Sequence, residues 1–255
     1  MNRTVLVTSG GTAEQIDSVR AITNNASGSL GALTATAFCN LSEVGKVYYL
    51  APRSARQPAS NHKLAYVEIT SSDTLVTAIR RCCTAQPVDA IIHAMAVSDY
   101  QPSSVTTIDD LAAAVYAHSP TFNSPAELAT AIRAIKGFER NRKISSTAGD
   151  LVIITAPTQK VIALLRPLAP QAVIVGFKLL TGVSHSELLQ AANGVLSKND
   201  CNYVLANDTA DISSTCHVGY LIDRHGSEQR FETKEHIATG LVAATRKLWK
   251  EGSAI

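Results

Sequence analysis

The stretch Val5-Leu6-Val7-Thr8-Ser9-Gly10-Gly11-Thr12 decides the reading of this chain. Val5, Leu6 and Val7 are apolar without alternation, as expected of a strand covered on both faces. Gly10 and Gly11 then let the backbone turn sharply and approach a ligand closely. The turn is neither GxGxxG nor GxxxxGK[ST], and an ordinary strand-to-loop turn could use the same residues. Outward from it, short apolar runs alternate with helical patterns. Residues 4–8, 47–51, 65–69, 89–94, 151–155, 172–177 and 203–206 read as strands. Helical spacing marks 71–86 (Leu75, Ile79, Cys82), 185–198 (Leu188, Leu189, Ala192) and 235–250 (Ile237, Leu241, Leu248), and another helix begins near Leu30. Alternating strands and helices predict an α/β, Rossmann-like, doubly wound and mainly parallel sheet, with ligands at the carboxyl ends of its strands.

With 255 residues, 45% of them hydrophobic and 17% charged, the chain can bury a sizeable core. A formal net charge of +2 and no basic stripe argue against nucleic acid. Cys39, Cys82, Cys83, Cys201 and Cys216 form no CxxC pair and no zinc spacing, so reduced thiols in a cytoplasmic protein are expected. No charged and apolar leader opens the sequence, and no apolar run reaches the ~18 residues of a membrane span. Two regions break the rhythm. Residues 101–142 form a long excursion after the fourth strand, with Ser124-Pro125-Ala126-Glu127 as N-cap, first-turn proline and capping-box acid of a helix to about Ile135. Residues 218–222 and 229–231 flank Asp223-Arg224-His225-Gly226 as a C-terminal β-hairpin. No linker or repeat divides the chain, so a single domain over 1–255 is expected, with 101–142 as an inserted strap or dimer arm.

Polar clusters recur where strands end. Residues 17–31 gather Arg20, Asn24, Asn25, Ser27 and Gly28 ahead of a helix whose free N–H groups suit an anion. In His93-Ala94-Met95-Ala96-Val97-Ser98-Asp99-Tyr100, small residues could let a flat base lie on the backbone, and Asp99 could accept from an exocyclic amine; His93 itself suits a core. Lys143 returns after the excursion and could offset phosphate charge. Gly176-Phe177 could pack on a base. Lys198 and Ala206-Asn207-Asp208 bracket the last parallel strand. Such clusters at one sheet edge should converge on one pocket.

Taken together, these motifs resemble the phosphopantothenate–cysteine ligase (phosphopantothenoylcysteine synthetase) family of coenzyme A biosynthesis. The likeness rests on residues 8–12, on Ile16-Asp17-Ser18-Val19-Arg20-Ala21-Ile22-Thr23-Asn24-Asn25-Ala26-Ser27-Gly28-Ser29-Leu30-Gly31, on 95–100, Lys143-Ile144, 175–177 and 206–208. It implies an acid–amino-acid ligase joining 4′-phosphopantothenate to L-cysteine through an acyl-nucleotide, with CTP put ahead of ATP and Mg2+ carried by the triphosphate. By resemblance, Asn24 and Lys143 are catalytic. Gly10, Gly11, Ser27, Gly28, His93, Ala94, Met95, Asp99, Phe177 and Lys198 bind nucleotide. Arg20, Asn25 and Asn207 bind substrate, and no residue is a metal ligand. Ser145 and Ser146 stand where many bacterial relatives carry lysines, and Lys160 is the expected compensating cation. Because the chain starts at the ligase's first strand, a stand-alone ligase without flavin is expected, cytoplasmic, homodimeric, and binding neither nucleic acid nor membrane.

Two rivals remain at this point. An NAD(P)-dependent Rossmann-fold reductase of the short-chain class would need Tyr-x-x-x-Lys, and none of the seven tyrosines has Lys four residues on. A non-catalytic nucleotide-binding subunit would bind the nucleotide and release no pyrophosphate.

Overall fold

The structure, a computed structural model, describes residues 2–117, 122–213 and 215–252. In chain order its strands and helices are β1 (Arg3–Thr8), β2 (Ala13–Gln15), β3 (Ala21–Thr23), α1 (Ser29–Cys39), β4 (Val44–Ala51), β5 (Leu64–Glu68), α2 (Ser72–Ala85), β6 (Ala90–His93), β7 (Tyr100–Thr107), α3 (Ile108–Ala117), α4 (Pro125–Arg133), β8 (Leu151–Pro157), α5 (Ile162–Leu168), β9 (Val173–Leu180), α6 (His185–Asn199), β10 (Tyr203–Asp208), β11 (Gly219–Asp223), β12 (Glu228–Phe231) and α7 (Lys234–Glu251). The chain divides into two compact units. The first comprises residues 1–12, 24–97 and 160–255, and the second residues 13–23 and 98–159.

The first unit is built on an eight-stranded sheet of order β12-β11-β10-β9-β6-β1-β4-β5. The six strands from β10 to β5 are parallel, and β11 and β12 close one side as an antiparallel hairpin. The doubly wound expectation is met. The chain winds from β1 through β4 to β5, then crosses back to lay β6 on the other side of β1. That reversal opens a crevice at the carboxyl ends of β1 and β6. Successive residues of β1 serve opposite cores. Val5 and Val7 pack with Ala35 and Phe38 of α1 and Leu241 of α7. Leu6 packs on the other face with Leu75 and Ile79 of α2 and Leu188 of α6. Burial on both faces explains why β1 reads as an unbroken apolar run.

The second unit holds two antiparallel pairs, β2 with β3 and β7 with β8. Here the sequence expectation needs correction. Residues 151–155 do form a strand, but β8 pairs antiparallel with β7 in a separate two-stranded sheet and takes no place in the parallel one. Its burial alternates along the strand, as for a ribbon with one open face, where the sequence offers a continuous apolar run. The β7–β8 register slips between Pro102 and Ser104, a position that tolerates a proline's missing N–H. The expected helix in the excursion is present as α4, started by Ser124 Oγ accepting from the Glu127 N–H. Residues 118–121 of the excursion lie outside the described residues.

All five cysteines are free thiols. Among the described residues no helix is long and apolar enough to cross a membrane.

Candidate functional site

The site begins where β1 and β6 stop. Beyond β1, Gly10 takes φ +81°, which a side chain would strain, and a Cβ there would stand 2.8 Å from that of Ala55. Gly28, at φ +72°, is the N-cap of α1, and a Cβ on it would meet the same Ala55 at 2.9 Å. Both glycines are therefore required by the fold of this corner. The turn after β1 continues in parallel with the segment after β6. The Ala96 N–H donates to the Gly10 carbonyl (2.8 Å), and the Thr12 N–H donates to the Ala96 carbonyl (3.1 Å). Asn24 is tied across the same junction. Its Nδ2 donates to the Ala96 carbonyl (3.3 Å), and its backbone carbonyl runs directly against Gly11, where any side chain would collide with it.

These segments wall a cleft of about 490 Å³ in the first unit. One wall is Asn24–Gly31, which includes the N-terminus of α1. The floor is Gly10 with Ala94–Val97, and the far wall is Phe177–Leu179 of β9 with Asn207 of β10, His217 and Lys234. Gly28 has no side chain to cap α1, and of the backbone N–H groups there Ser27 Oγ accepts only from that of Ser29, at 3.4 Å. The helix's other first-turn N–H groups and the positive end of its dipole thus favour an anion at that wall. Of the residues singled out by sequence, Gly10, Asn24, Asn25, Ser27, Gly28, Ala94, Met95, Phe177 and Asn207 line this one cleft. Gly11 lies in its supporting turn.

Others fall elsewhere. The His93 ring is buried and meets Thr8 Oγ1 through Nδ1 at 2.8 Å; burial lowers its pKa to about 4 and holds it neutral. Its side chain is a core group, and only its neighbours Ala94 and Met95 reach the cleft. Asn207 is buried, and its Nδ2 donates to the Val218 carbonyl (2.6 Å), binding the cleft wall to the segment that enters β11.

Lys198 is a correction. It stands in the last turn of α6, and α6 starts at the carboxyl end of β9 and runs back over ~20 Å before β10 begins. Lys198 is thereby left at the amino-terminal edge of the sheet, away from the cleft. The cations that do line the cleft are Lys178 and Lys234, which the sequence reading missed. Lys178 follows Phe177 along β9, and Lys234 opens α7 after the hairpin; strand-end and helix-start positions were the signal available.

Asp99, Arg20 and Lys143 belong to the second unit. The Asp99 carbonyl accepts from the Thr158 N–H (2.9 Å). Arg20 is engaged with the buried Asp17 and with the Ile144 carbonyl. Lys143 is exposed beside the buried Ile144. Among the described residues no group of three or more His, Cys, Asp or Glu is gathered to hold a metal ion.

Residues 1–110 match the family described as DNA/pantothenate metabolism flavoprotein C-terminal domain. The crystal structure of the DNA/pantothenate metabolism flavoprotein from Streptococcus pneumoniae matches with a TM-score of 0.80 at 30% identity, over 97% of this chain and 100% of that one. The coenzyme A biosynthesis bifunctional protein CoaBC of Methanocaldococcus jannaschii is 27% identical over 248 residues, 96% of this chain and 51% of that protein. Its counterpart from Thermococcus kodakarensis is 26% identical over 204 residues, 80% of this chain and 40% of that protein. The chain therefore spans about half the length, or less, of these two curated relatives.

Proposed function

The chain belongs to the family of DNA/pantothenate metabolism flavoprotein C-terminal domains, and from that premise we propose that it is a phosphopantothenate–cysteine ligase. The observation that carries this reading is the cleft at the β1–β6 crossing. There Asn24, the start of α1, the small backbone of Ala94–Met95 and Phe177 stand around one space. A free carboxylate is a poor electrophile and must first be activated. In this reading the carboxylate of 4′-phosphopantothenate attacks the α-phosphorus of a nucleoside triphosphate, and pyrophosphate leaves. The amine of L-cysteine then attacks the acyl carbon, and the nucleoside monophosphate leaves with the bond electrons.

Both steps develop negative charge on oxygen, which fixed donors and a cation stabilise. Asn24 supplies a donor held in place by Ala96 and Gly11. The α1 N-terminus supplies backbone N–H groups, and Lys143 the cation for the α-phosphate in the first step. Ala94 and Met95 offer backbone to the base, and Phe177 a ring to pack on it. Asn25, Asn207 and the ammonium groups of Lys178 and Lys234 suit the polar and anionic ends of the substrates. CTP is the nucleotide put first, with ATP as the alternative. Magnesium enters on the triphosphate as part of the substrate, and no flavin takes part. The working unit is proposed as a homodimer in which the excursion serves as the arm.

Incubation with phosphopantothenate, cysteine, magnesium and either CTP or ATP tests the reading. Pyrophosphate should be released with one nucleotide well above the other. Asn24→Ala should lower turnover by about 10²-fold with the fold retained. Background release with both nucleotides means that the ligase reading is wrong.

A further inference from the structure

Lys143 stands in a stretch without regular structure. Residues 134–150 form no helix or strand. Among the described residues from 141 to 149, the hydrogen bonds to other elements all run through Ile144. Their partners are Asp17 and Arg20, on the turn that joins β2 to β3. The Asp17 carboxylate is completely buried. Its Oδ1 accepts from the backbone N–H groups of Val19 (2.9 Å) and Arg20 (2.7 Å), which closes the turn. Its Oδ2 accepts from Arg20 Nε (2.9 Å), from Arg20 Nη2, and from the Ile144 N–H (3.1 Å). Arg20 Nη2 also donates to the Ile144 carbonyl (3.0 Å). One ion pair thus grips both backbone polar groups of a residue 127 positions from Asp17. The Arg20 guanidinium and three backbone N–H groups hold the Asp17 carboxyl well below the usual carboxylate range.

The geometry points to Asp17 and Arg20 as positioning residues that fix Ile144 and thereby aim the neighbouring Lys143 for the first step. This role rests on the ligase reading of Lys143. Asp17 is buried while the Arg20 side chain is 43% exposed; the desolvation of the carboxylate offsets part of the attraction, and the best-attested use of such a pair is to fix a register. Here the register concerns a lysine on an irregular segment, and a misplacement of about 1 Å costs a reaction up to 10²-fold. Only the planar fork of arginine can meet the carboxylate and the Ile144 carbonyl together.

The test uses the full chain and two readouts. In Asp17→Asn, hydrogen exchange in the segment containing Ile144 should quicken by roughly tenfold or more, while β1 and β6 keep wild-type protection. Pyrophosphate release should fall by about 10²-fold in kcat, with the nucleotide KM within about twofold. In Lys143→Ala the Asp17→Asn change should cost nothing further, because both act on one event. Should Asp17→Asn fail to fold, Arg20→Lys keeps the charge without the fork and carries the same comparison. Unchanged exchange at Ile144 overturns the clamp. Faster exchange with losses that multiply with Lys143→Ala overturns the link to Lys143. Faster exchange at Ile144 in Asp17→Asn, with a wild-type chain that releases no pyrophosphate, overturns the ligase reading, and the positioning role with it.

Discussion

His93 shows how much a single residue can mislead or inform. It precedes the small residues of the cleft floor, yet its ring sits in the core against Thr8. Burial lowers its pKa from 6.5 to about 4. Between those values the unfolded chain binds a proton that the folded chain refuses, so stability rises with pH across the window. The chain should therefore lose stability as pH falls from about 6.5 toward 4, by on the order of 3 kcal/mol from this group. Urea unfolding at pH 7 and pH 4.5 measures it. His93→Gln should flatten the difference, and an equal slope in the variant would refute the assignment. The sequence itself suggested a core histidine, because apolar Ala90, Ile91 and Ile92 precede it on its strand. Asn24 was legible for another reason, since it stands among polar residues just before a helix start. What could not be read was its anchorage on Ala96, a contact 72 positions away.

At the scale of elements, local chemistry was the reliable guide. Helix α6 was legible from its apolar spacing, and the structure adds a capping box of Ser184 and Glu187 at its start. Ser184 Oγ accepts from the Glu187 N–H (3.3 Å), and Glu187 Oε2 accepts from the Ser184 N–H (2.8 Å). Ser184→Ala should cost about 1 kcal/mol, read as a lower midpoint of chemical denaturation at unchanged slope. No loss would mean that α6 is held by packing alone. Elements without such signals escaped notice. Strand β7 carries Pro102, Ser103, Ser104, Thr106 and Thr107, which read as loop, and its order comes from pairing with β8. Helix α3 buries no residue and so leaves no clear apolar stripe to find. Strand β8 was recognised as a strand, but nothing in Leu151-Val152-Ile153-Ile154 says which sheet will receive it.

Over the molecule as a whole, the doubly wound order of the first unit followed from the alternation of strands and helices, and the edge that would carry a ligand followed with it. The failure at Lys198 lies at this scale, because a residue next to β10 in sequence is a helix length away from the strand's far end. The same sheet is closed at its other edge by the last helix. Trp249 of α7 donates Nε1 to the Asp89 carbonyl (3.0 Å), tilts against Phe38 at 6.1 Å between ring centroids, and lies under the Arg3 guanidinium at 5.3 Å. Trp249→Ala should therefore destabilise the first unit by about 3–5 kcal/mol, visible as a fall in thermal midpoint, and a change within error would show that α7 is not needed to close the core. The hairpin at the sheet's outer end has a further consequence. Its last strand, β12, turns Glu228, Gln229 and Arg230 to solvent. A second chain adding its backbone there would have to strip water from charged side chains, so this edge guards a largely apolar sheet against fibrous self-association.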